Sequence, residues 1–307
     1  MEVYKNVHEL VGQTPLVEIT AFSMPKGVRL FAKLEYLNPG GSVKDRLGQA
    51  LLDDAFQSGK LSEGGTLIEP TAGNTGIGLA LAAIGRNIRV IFCVPEQFSE
   101  EKQELMRALG AEVINTPSEE GMSGAVKKAE DLLNKIPHSY CPGQFSNHAN
   151  PETYYKTLGP EIWGQLDGQI DILVAGAGSG GTFMGTARYL KNRNPHVKGV
   201  IVEPEGSILN GGKPGPHKTE GIGMEFIPDF LNKELIDDIY TVSDRHAFQC
   251  VKDLAQKEGL LVGSSSGAAF YAALIEAQKA SRGTHIVTIF PDGSDRYLSK
   301  KIYQGGI

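Results

Sequence analysis

Lys44 stands in a segment whose residue types suit covalent chemistry. It follows a glycine turn at residues 38–41 and Ser42, which is a suitable N-cap for a helix. Lys44 then lies in the first helical turn, where the helix dipole disfavours a positive charge. An ammonium group destabilised in this way loses its proton more readily and becomes a better nucleophile toward a carbonyl carbon. The alternative is an ordinary exposed lysine.

A second segment, residues 69–78, reads Glu-Pro-Thr-Ala-Gly-Asn-Thr-Gly-Ile-Gly and joins a predicted strand to an apolar helix. The backbone N–H groups and the side chains of Thr71, Asn74 and Thr75 would converge there on an anion such as a carboxylate. The alternative is a polar turn that binds nothing, because Asn and Thr are common turn residues.

A third segment, residues 176–182, reads Gly-Ala-Gly-Ser-Gly-Gly-Thr and precedes another predicted helix. Glycine-rich turns at helix N-termini bind phosphate groups. The turn also fits Gly-x-Gly-x-x-Gly, and Glu203 ends the next predicted strand 27 residues after Gly176. That combination is typical of dinucleotide binding, although any cofactor that carries a phosphate could use the same turn.

The remaining polar clusters give weaker indications. The serines at 264–266 precede an alanine-rich helix and could simply cap it. Cys141 lies near Gln144 and could be reactive, but nothing in the sequence indicates a lowered pKa. The seven histidines lack the spacing of metal ligands and the three cysteines form no Cys-x-x-Cys pair, so we expect neither a metal site nor a disulfide framework.

Strands and helices alternate along the chain and must position these clusters. Short β-branched runs predict strands at residues 30–34, 66–69, 89–94, 112–115, 170–175, 198–203, 234–242 and 285–290. Longer segments predict helices at residues 45–58, 75–85, 99–109, 122–135, 182–192, 244–259 and 267–280. Several strands are continuously apolar, which is typical of parallel sheets covered on both faces. The pattern predicts an α/β fold with right-handed crossovers.

Two irregular segments interrupt this alternation. Residues 137–160 are rich in Pro, Asn and Gly and lack periodicity, which indicates a boundary between two α/β domains. Residues 205–228 are rich in Gly and Pro and are too long for an ordinary connection, as functional loops often are.

Composition excludes several classes of protein. The chain has 307 residues and a net charge of −6, which argues against non-specific binding of nucleic acid. No run approaches the roughly 18 apolar residues of a membrane helix. The first residues do not have the pattern of a secretory signal, so we expect a cytoplasmic protein.

In this order, the clusters resemble the fold-type II family of enzymes that use pyridoxal 5′-phosphate. The resemblance runs from Gly12-Gln13-Thr14-Pro15-Leu16 to Phe290-Pro291-Asp292 and is strongest to the branch of cysteine synthases and cystathionine β-synthases. It implies a homodimer of two-domain subunits, each domain having a mostly parallel twisted sheet, with the cofactor in the cleft between the domains. The expected domains are a smaller one of residues 42–147 and a larger one of residues 1–41 and 148–307.

The resemblance implies a role for each matching residue. Lys44 is the lysine that binds the cofactor aldehyde as an imine and later takes the α-proton of the substrate. Asn74 is the partner of the ring hydroxyl, and Ser265 faces the pyridine nitrogen. The implied phosphate-binding residues are Gly178, Ser179, Gly180, Gly181 and Thr182. The implied substrate residues are Thr71, Ala72, Gly73, Thr75 and Gln144 at the carboxylate, with Gly221, Ile222 and Gly223 at the entrance.

The implied reaction is a β-replacement on an amino acid. Cysteine synthases commonly have a serine where this chain has Ala72, whereas residues 203–209 and 220–228 look more like those of cystathionine β-synthases. The chain also lacks the haem segment and the regulatory module of animal members and so resembles the short bacterial ones. We therefore expect O-acetylserine, or serine, to be joined to homocysteine. The alternative is a cysteine synthase that uses sulfide.

Other functions stay open at this point. A dinucleotide-dependent dehydrogenase would use residues 176–181 and Glu203, but it leaves Lys44 and the loop at 71–75 without a role. A non-catalytic relative would bind only an amino acid or a partner enzyme. Within the pyridoxal phosphate class, a dehydratase and a threonine synthase are further alternatives.

Overall fold

The computed structural model describes residues 3–71 and 73–304, which form two compact units. The smaller unit contains the segment up to Val11 together with Lys44–Asn150, and the larger contains Gly12–Val43 and everything after Asn150. The sequence suggested residues 1–41 for the larger domain. In the structure, residues 3–11 cluster with the smaller unit, where His8 Nε2 lies 3.2 Å from the carbonyl oxygen of Ile84.

The smaller unit is built on a parallel sheet with the strand order β5-β4-β3-β6. Its strands are β3 (Thr66–Pro70), β4 (Arg89–Pro95), β5 (Glu112–Thr116) and β6 (Ser139–Tyr140). Its helices are α1 (Lys44–Gln57), α2 (Asn74–Ala83), α3 (Glu100–Ala108) and α4 (Gly121–Lys135). Every residue of β4 after Arg89 is buried, which explains the unbroken apolar run in its sequence.

The larger unit is built on a second sheet with the strand order β1-β2-β10-β7-β8-β9. Its strands are β1 (Leu16–Glu18), β2 (Arg29–Leu34), β7 (Ile172–Gly176), β8 (Lys198–Pro204), β9 (Asp238–Val242) and β10 (His285–Phe290). Only β1 runs antiparallel to its neighbour among the strand pairs described. The helices are α6 (Leu158–Gln165), α7 (Gly181–Arg193), α8 (Asp244–Glu258), α9 (Ser264–Lys279) and most of α5 (Ala149–Lys156).

Each unit has its own hydrophobic core. In the smaller unit, Ile68, Ile91 and Cys93 of the sheet pack against Ala125 and Ala129 of α4. In the larger unit, strand residues pack against the buried faces of α8 and α9. These cores hold the carboxyl ends of the parallel strands in fixed positions, and the polar clusters follow those ends.

The predicted fold class is confirmed, since both units are α/β with mostly parallel sheets. Three local predictions were wrong. The two units divide at Asn150, inside the predicted boundary segment 137–160, but residues 149–165 form α5 and α6 rather than irregular chain. Residues 233–235 form a 3₁₀ turn, because Asn232 caps it by accepting a hydrogen bond from the Glu234 N–H, and β9 starts only at Asp238. Helix α9 begins at Ser264 rather than at residue 267.

In the part of the chain that the structure describes, every helix is too short or too polar to cross a lipid bilayer.

Candidate active site

Lys44 and Asn74 are the first residues of two helices that pack closely in the smaller unit. A Cβ atom on Gly78 would lie 2.3 Å from the carbonyl oxygen of Lys44, and a Cβ on Gly48 would lie 2.2 Å from the carbonyl carbon of Gly78. Only glycine fits at such backbone contacts. Because Gly78 is about one turn beyond Asn74, the contact places the first turns of α1 and α2 side by side. Both side chains are half-buried.

The loop after β3 forms an anion-binding arrangement with Gln144. Thr71 and Thr75 are each 3% exposed, and the Thr75 hydroxyl donates to Gln144 Oε1 at 2.8 Å. This bond uses only Oε1, so both N–H groups of Gln144 Nε2 remain able to donate. Among the described residues, no acceptor binds them. The first N–H groups of α2 lack partners inside the helix, and the helix dipole favours negative charge there. These donors suit a carboxylate. Gly73 is the N-cap of α2, while Ala72 lies outside the described residues.

Glu69 is a buried acid whose contacts the sequence analysis did not anticipate. It is 2% exposed, and its carboxylate accepts hydrogen bonds from Cys141 Sγ at 3.1 Å, from Gly143 N at 3.1 Å and from Gln144 N at 3.5 Å. Burial raises the pKa of Glu69, and burial together with the adjacent carboxylate raises the pKa of the Cys141 thiol. Cys141 is thus a hydrogen-bond donor rather than a reactive thiolate. The sequence did offer one signal for a buried acid, because Glu69 follows the apolar residues Leu67 and Ile68 in the same strand.

The glycine-rich turn lies between β7 and α7 in the larger unit. Gly180 is the N-cap of α7 and has φ 83°, a left-handed conformation that favours glycine. A Cβ on Gly178 would lie 2.5 Å from the carbonyl oxygen of Gly221, so the backbone there admits no side chain. Ser179, the residue before the N-cap, and Thr182, in the first turn of α7, are buried. The turn therefore presents backbone N–H groups and hydroxyls at a helix N-terminus, as expected of a phosphate site.

Two further predicted segments meet this turn. The N–H of Gly223 donates to the carbonyl of Ala177 at 2.9 Å, and the N–H of Glu220 donates to Ser264 Oγ at 2.9 Å. Ser265 is 2% exposed, and its Oγ is 3.8 Å from where a Cβ on Gly221 would lie. The larger unit thus brings together the turn at 176–182, the loop at 220–223 and the start of α9, which are far apart in sequence. Ile222, 6% exposed, packs under the turn.

Glu203 has a structural role that conflicts with dinucleotide binding. It is 1% exposed, and its carboxylate accepts hydrogen bonds from Leu209 N at 2.9 Å, Asn210 N at 3.0 Å and the Thr241 hydroxyl at 3.1 Å. The carboxylate is therefore occupied in holding the start of the loop at 205–228. The dehydrogenase alternative needs this acid for a ribose hydroxyl and loses its support.

Comparisons with known proteins show the family of the chain. The chain matches the family described as "Pyridoxal-phosphate dependent enzyme" over residues 7–292. It therefore belongs to the family of pyridoxal-phosphate dependent enzymes, and the predicted cofactor is confirmed.

Two curated relatives are similar over essentially the whole chain. The O-acetylserine dependent cystathionine beta-synthase of Bacillus subtilis (strain 168) is 63% identical over 307 residues, which cover 100% of both chains. A cysteine synthase of Helicobacter pylori is 57% identical over 305 residues, 99% of this chain and 100% of that one.

A solved structure agrees with the fold. The crystal structure of an O-acetylserine dependent cystathionine beta-synthase from Helicobacter pylori has a TM-score of 0.94 to this chain at 56% identity. It covers 99% of this chain and 100% of that chain.

The residues of each unit fit pyridoxal phosphate. The close approach of Gly178 to Gly221 leaves a backbone cradle at a helix N-terminus, which suits the phosphate group. The buried Ser265 hydroxyl makes no hydrogen bond within the described part of the chain, which leaves it able to bind a ring nitrogen. Lys44 supplies the amine that an aldehyde requires.

Proposed function

We propose that this enzyme joins O-acetylserine, or serine, to homocysteine and releases cystathionine. The observation that carries the proposal is the 63% identity, over the whole length of both chains, to a protein named for this synthase and for this donor. With O-acetylserine, the bond between the β-carbon and the acetate oxygen breaks, acetate leaves, and the homocysteine sulfur forms the new bond to the β-carbon.

Lys44 would hold the cofactor covalently through Nζ, Asn74 would bind its ring hydroxyl, and Ser265 its ring nitrogen. The phosphate group would be held by Gly178, Ser179, Gly180, Gly181 and Thr182. When bound, pyridoxal phosphate supplies an electron sink that lets bonds at the α- and β-carbons of an amino acid break.

Lys44 Nζ has a second task. It would also be the base that takes the α-proton of the substrate and returns it to the α-carbon after the sulfur has added. Because its hydroxyl is neutral, Ser265 would not hold a proton on the ring nitrogen as an aspartate would. A weaker electron sink suits the loss of a good leaving group from the β-carbon.

The substrate carboxylate would bind to Gln144 Nε2, to the Thr71 hydroxyl and to the start of α2. The buried hydroxyls support this role, as do the Nε2 donors of Gln144, which meet no acceptor among the described residues. Ala72, Gly73 and Thr75 complete the loop, and residues 221–223 would shape the substrate entrance.

The acceptor is tested by supplying O-acetylserine with either homocysteine or sulfide. We expect the larger kcat/KM with homocysteine, and cystathionine as the product detected by mass spectrometry. A much larger kcat/KM with sulfide would instead establish a cysteine synthase, the alternative favoured by the 57% identical relative of that name.

We further propose that the enzyme works in the cytoplasm as a homodimer. All three cysteines are free thiols, as expected in a reducing compartment. The dimer rests on the family resemblance. Light scattering should give twice the 33.0 kDa of one chain, and the mass of a single chain would refute the dimer.

A further inference from the structure

Glu69 is a buried acid to which the proposed reaction gives no task. It is the fourth residue of β3, and the donors that it binds follow β6, the strand that pairs with β3. One side chain therefore connects the segments that follow two neighbouring strands. The first segment carries Thr71 and Thr75, and the second carries Gln144.

Gln144 is held at three points, and Glu69 supplies one of them. Its backbone N–H faces Glu69 Oε1 at 3.5 Å, its carbonyl oxygen accepts from Asn150 Nδ2 at 2.7 Å, and its Oε1 accepts from Thr75 at 2.8 Å. The adjacent Gly143 N–H is fixed by Glu69 Oε2 at 3.1 Å. These bonds determine where the Nε2 donors of Gln144 point.

We propose that Glu69 is a positioning residue for binding of the substrate carboxylate. It acts through the backbone of residues 143–144 and does not touch the substrate. The inference rests on the proposed function, because it takes an α-amino acid as the donor substrate. All three groups that bind Glu69 are donors, namely the Cys141 thiol and the N–H groups of Gly143 and Gln144. A carboxylate can accept from all of them through its two oxygens, whereas an amide would place its own N–H donors against at least one of them.

Glu69→Gln tests this role with the shape of the side chain conserved. Losing one hydrogen bond to a charged group corresponds to a factor of about 10 in binding, so the KM for O-acetylserine should rise about tenfold. The kcat should change much less, and the visible absorption of the bound cofactor should stay the same.

Two cysteine variants provide a graded series that does not change the acid. Cys141→Ala removes one donor from Glu69, and Cys141→Ser supplies a hydroxyl in its place. We expect the KM for O-acetylserine to be near the wild-type value in Cys141→Ser, higher in Cys141→Ala and highest in Glu69→Gln. If Glu69→Gln does not fold, the order of the two cysteine variants decides.

Glu276→Gln is the matched control. Glu276 is also 2% exposed, but it lies on α9 and accepts a hydrogen bond from Lys198 Nζ at 2.7 Å. This variant should lower thermal stability without raising the KM for O-acetylserine. A KM that rises equally in Glu69→Gln and Glu276→Gln would show a general effect of destabilisation and overturn the proposal.

Binding of two inhibitors isolates the carboxylate. L-alanine and L-alaninamide differ in that group alone, so Glu69→Gln should weaken competitive inhibition by L-alanine and leave inhibition by L-alaninamide unchanged. Equal weakening of both, or of neither, overturns the role of Glu69.

Running the series with sulfide as well as homocysteine separates the two proposals. A raised KM for O-acetylserine with sulfide, together with no turnover of homocysteine, overturns the proposed acceptor and keeps the role of Glu69. If the enzyme uses homocysteine but Glu69→Gln leaves the KM for O-acetylserine unchanged, the role of Glu69 is overturned and the proposed acceptor is kept.

Discussion

At the scale of single residues, the proposed chemistry depends on the amine of Lys44. Lys44→Ala removes both the covalent attachment and the base, so turnover should fall by about 1,000-fold or more. The visible absorption of the lysine-bound cofactor should also disappear. Lys127→Ala, which changes an exposed lysine on α4, is the control and should keep both. Activity that survives in Lys44→Ala would show that another group serves as the base.

Sequence alone could pick out the segments that the structure brings together when each segment carries its own motif. Gly178 and Ser265 belong to such segments, and the structure places both segments together in the larger unit. Glu69 and Glu203 could not be predicted in the same way. An acid in an apolar strand indicates burial, but it does not show which groups the acid binds, because those groups come from other segments.

At the scale of elements, the close packing of α1 on α2 positions Lys44. Gly78→Ala would force a methyl group to within 2.3 Å of the Lys44 carbonyl oxygen, against backbone that cannot rotate away. We expect the free energy of unfolding to fall by about 2 kcal/mol. The kcat should fall as well, because the first turn of α1 must shift. Urea denaturation and steady-state kinetics measure the two effects.

Gly164→Ala is the matched control for this substitution. Gly164 lies near the end of α6, is exposed and has nothing within 4 Å of an added Cβ. Alanine costs less conformational entropy than glycine in a helix, so stability should rise by up to about 1 kcal/mol. A loss of stability in both variants would indicate that crowding at Gly78 is not the cause.

Elements with strong apolar patterns could be predicted, whereas those with weak patterns could not. The buried run of β4 indicated a strand, and it forms one. Helices α5 and α6 were missed because Pro151, Gly159 and Pro160 break their patterns, although proline is tolerated in a first helical turn. The strand predicted at 234–242 was too long because the Asn232 cap imposes a turn on its first residues.

At the scale of the whole molecule, each unit contains at least one cysteine that is shielded from reagents. The reactivity of these thiols therefore measures the unfolding of each unit. Cys93 and Cys141 belong to the smaller unit, and Cys250 to the larger. Burial raises the pKa of Cys93 to about 11 and that of Cys250 to about 12, and the pKa of Cys141 is also raised. All three groups are therefore protonated in the native enzyme at pH 8, and their reaction with a disulfide reagent should be slow.

The order in which the thiols react reports which unit opens first. Fewer of the buried apolar residues belong to the smaller unit, so Cys93 and Cys141 should react together at a lower urea concentration than Cys250. Alkylation at each urea concentration followed by peptide mass spectrometry identifies the modified residues. A single midpoint for all three cysteines would mean that the two units unfold as one cooperative body despite their separate cores.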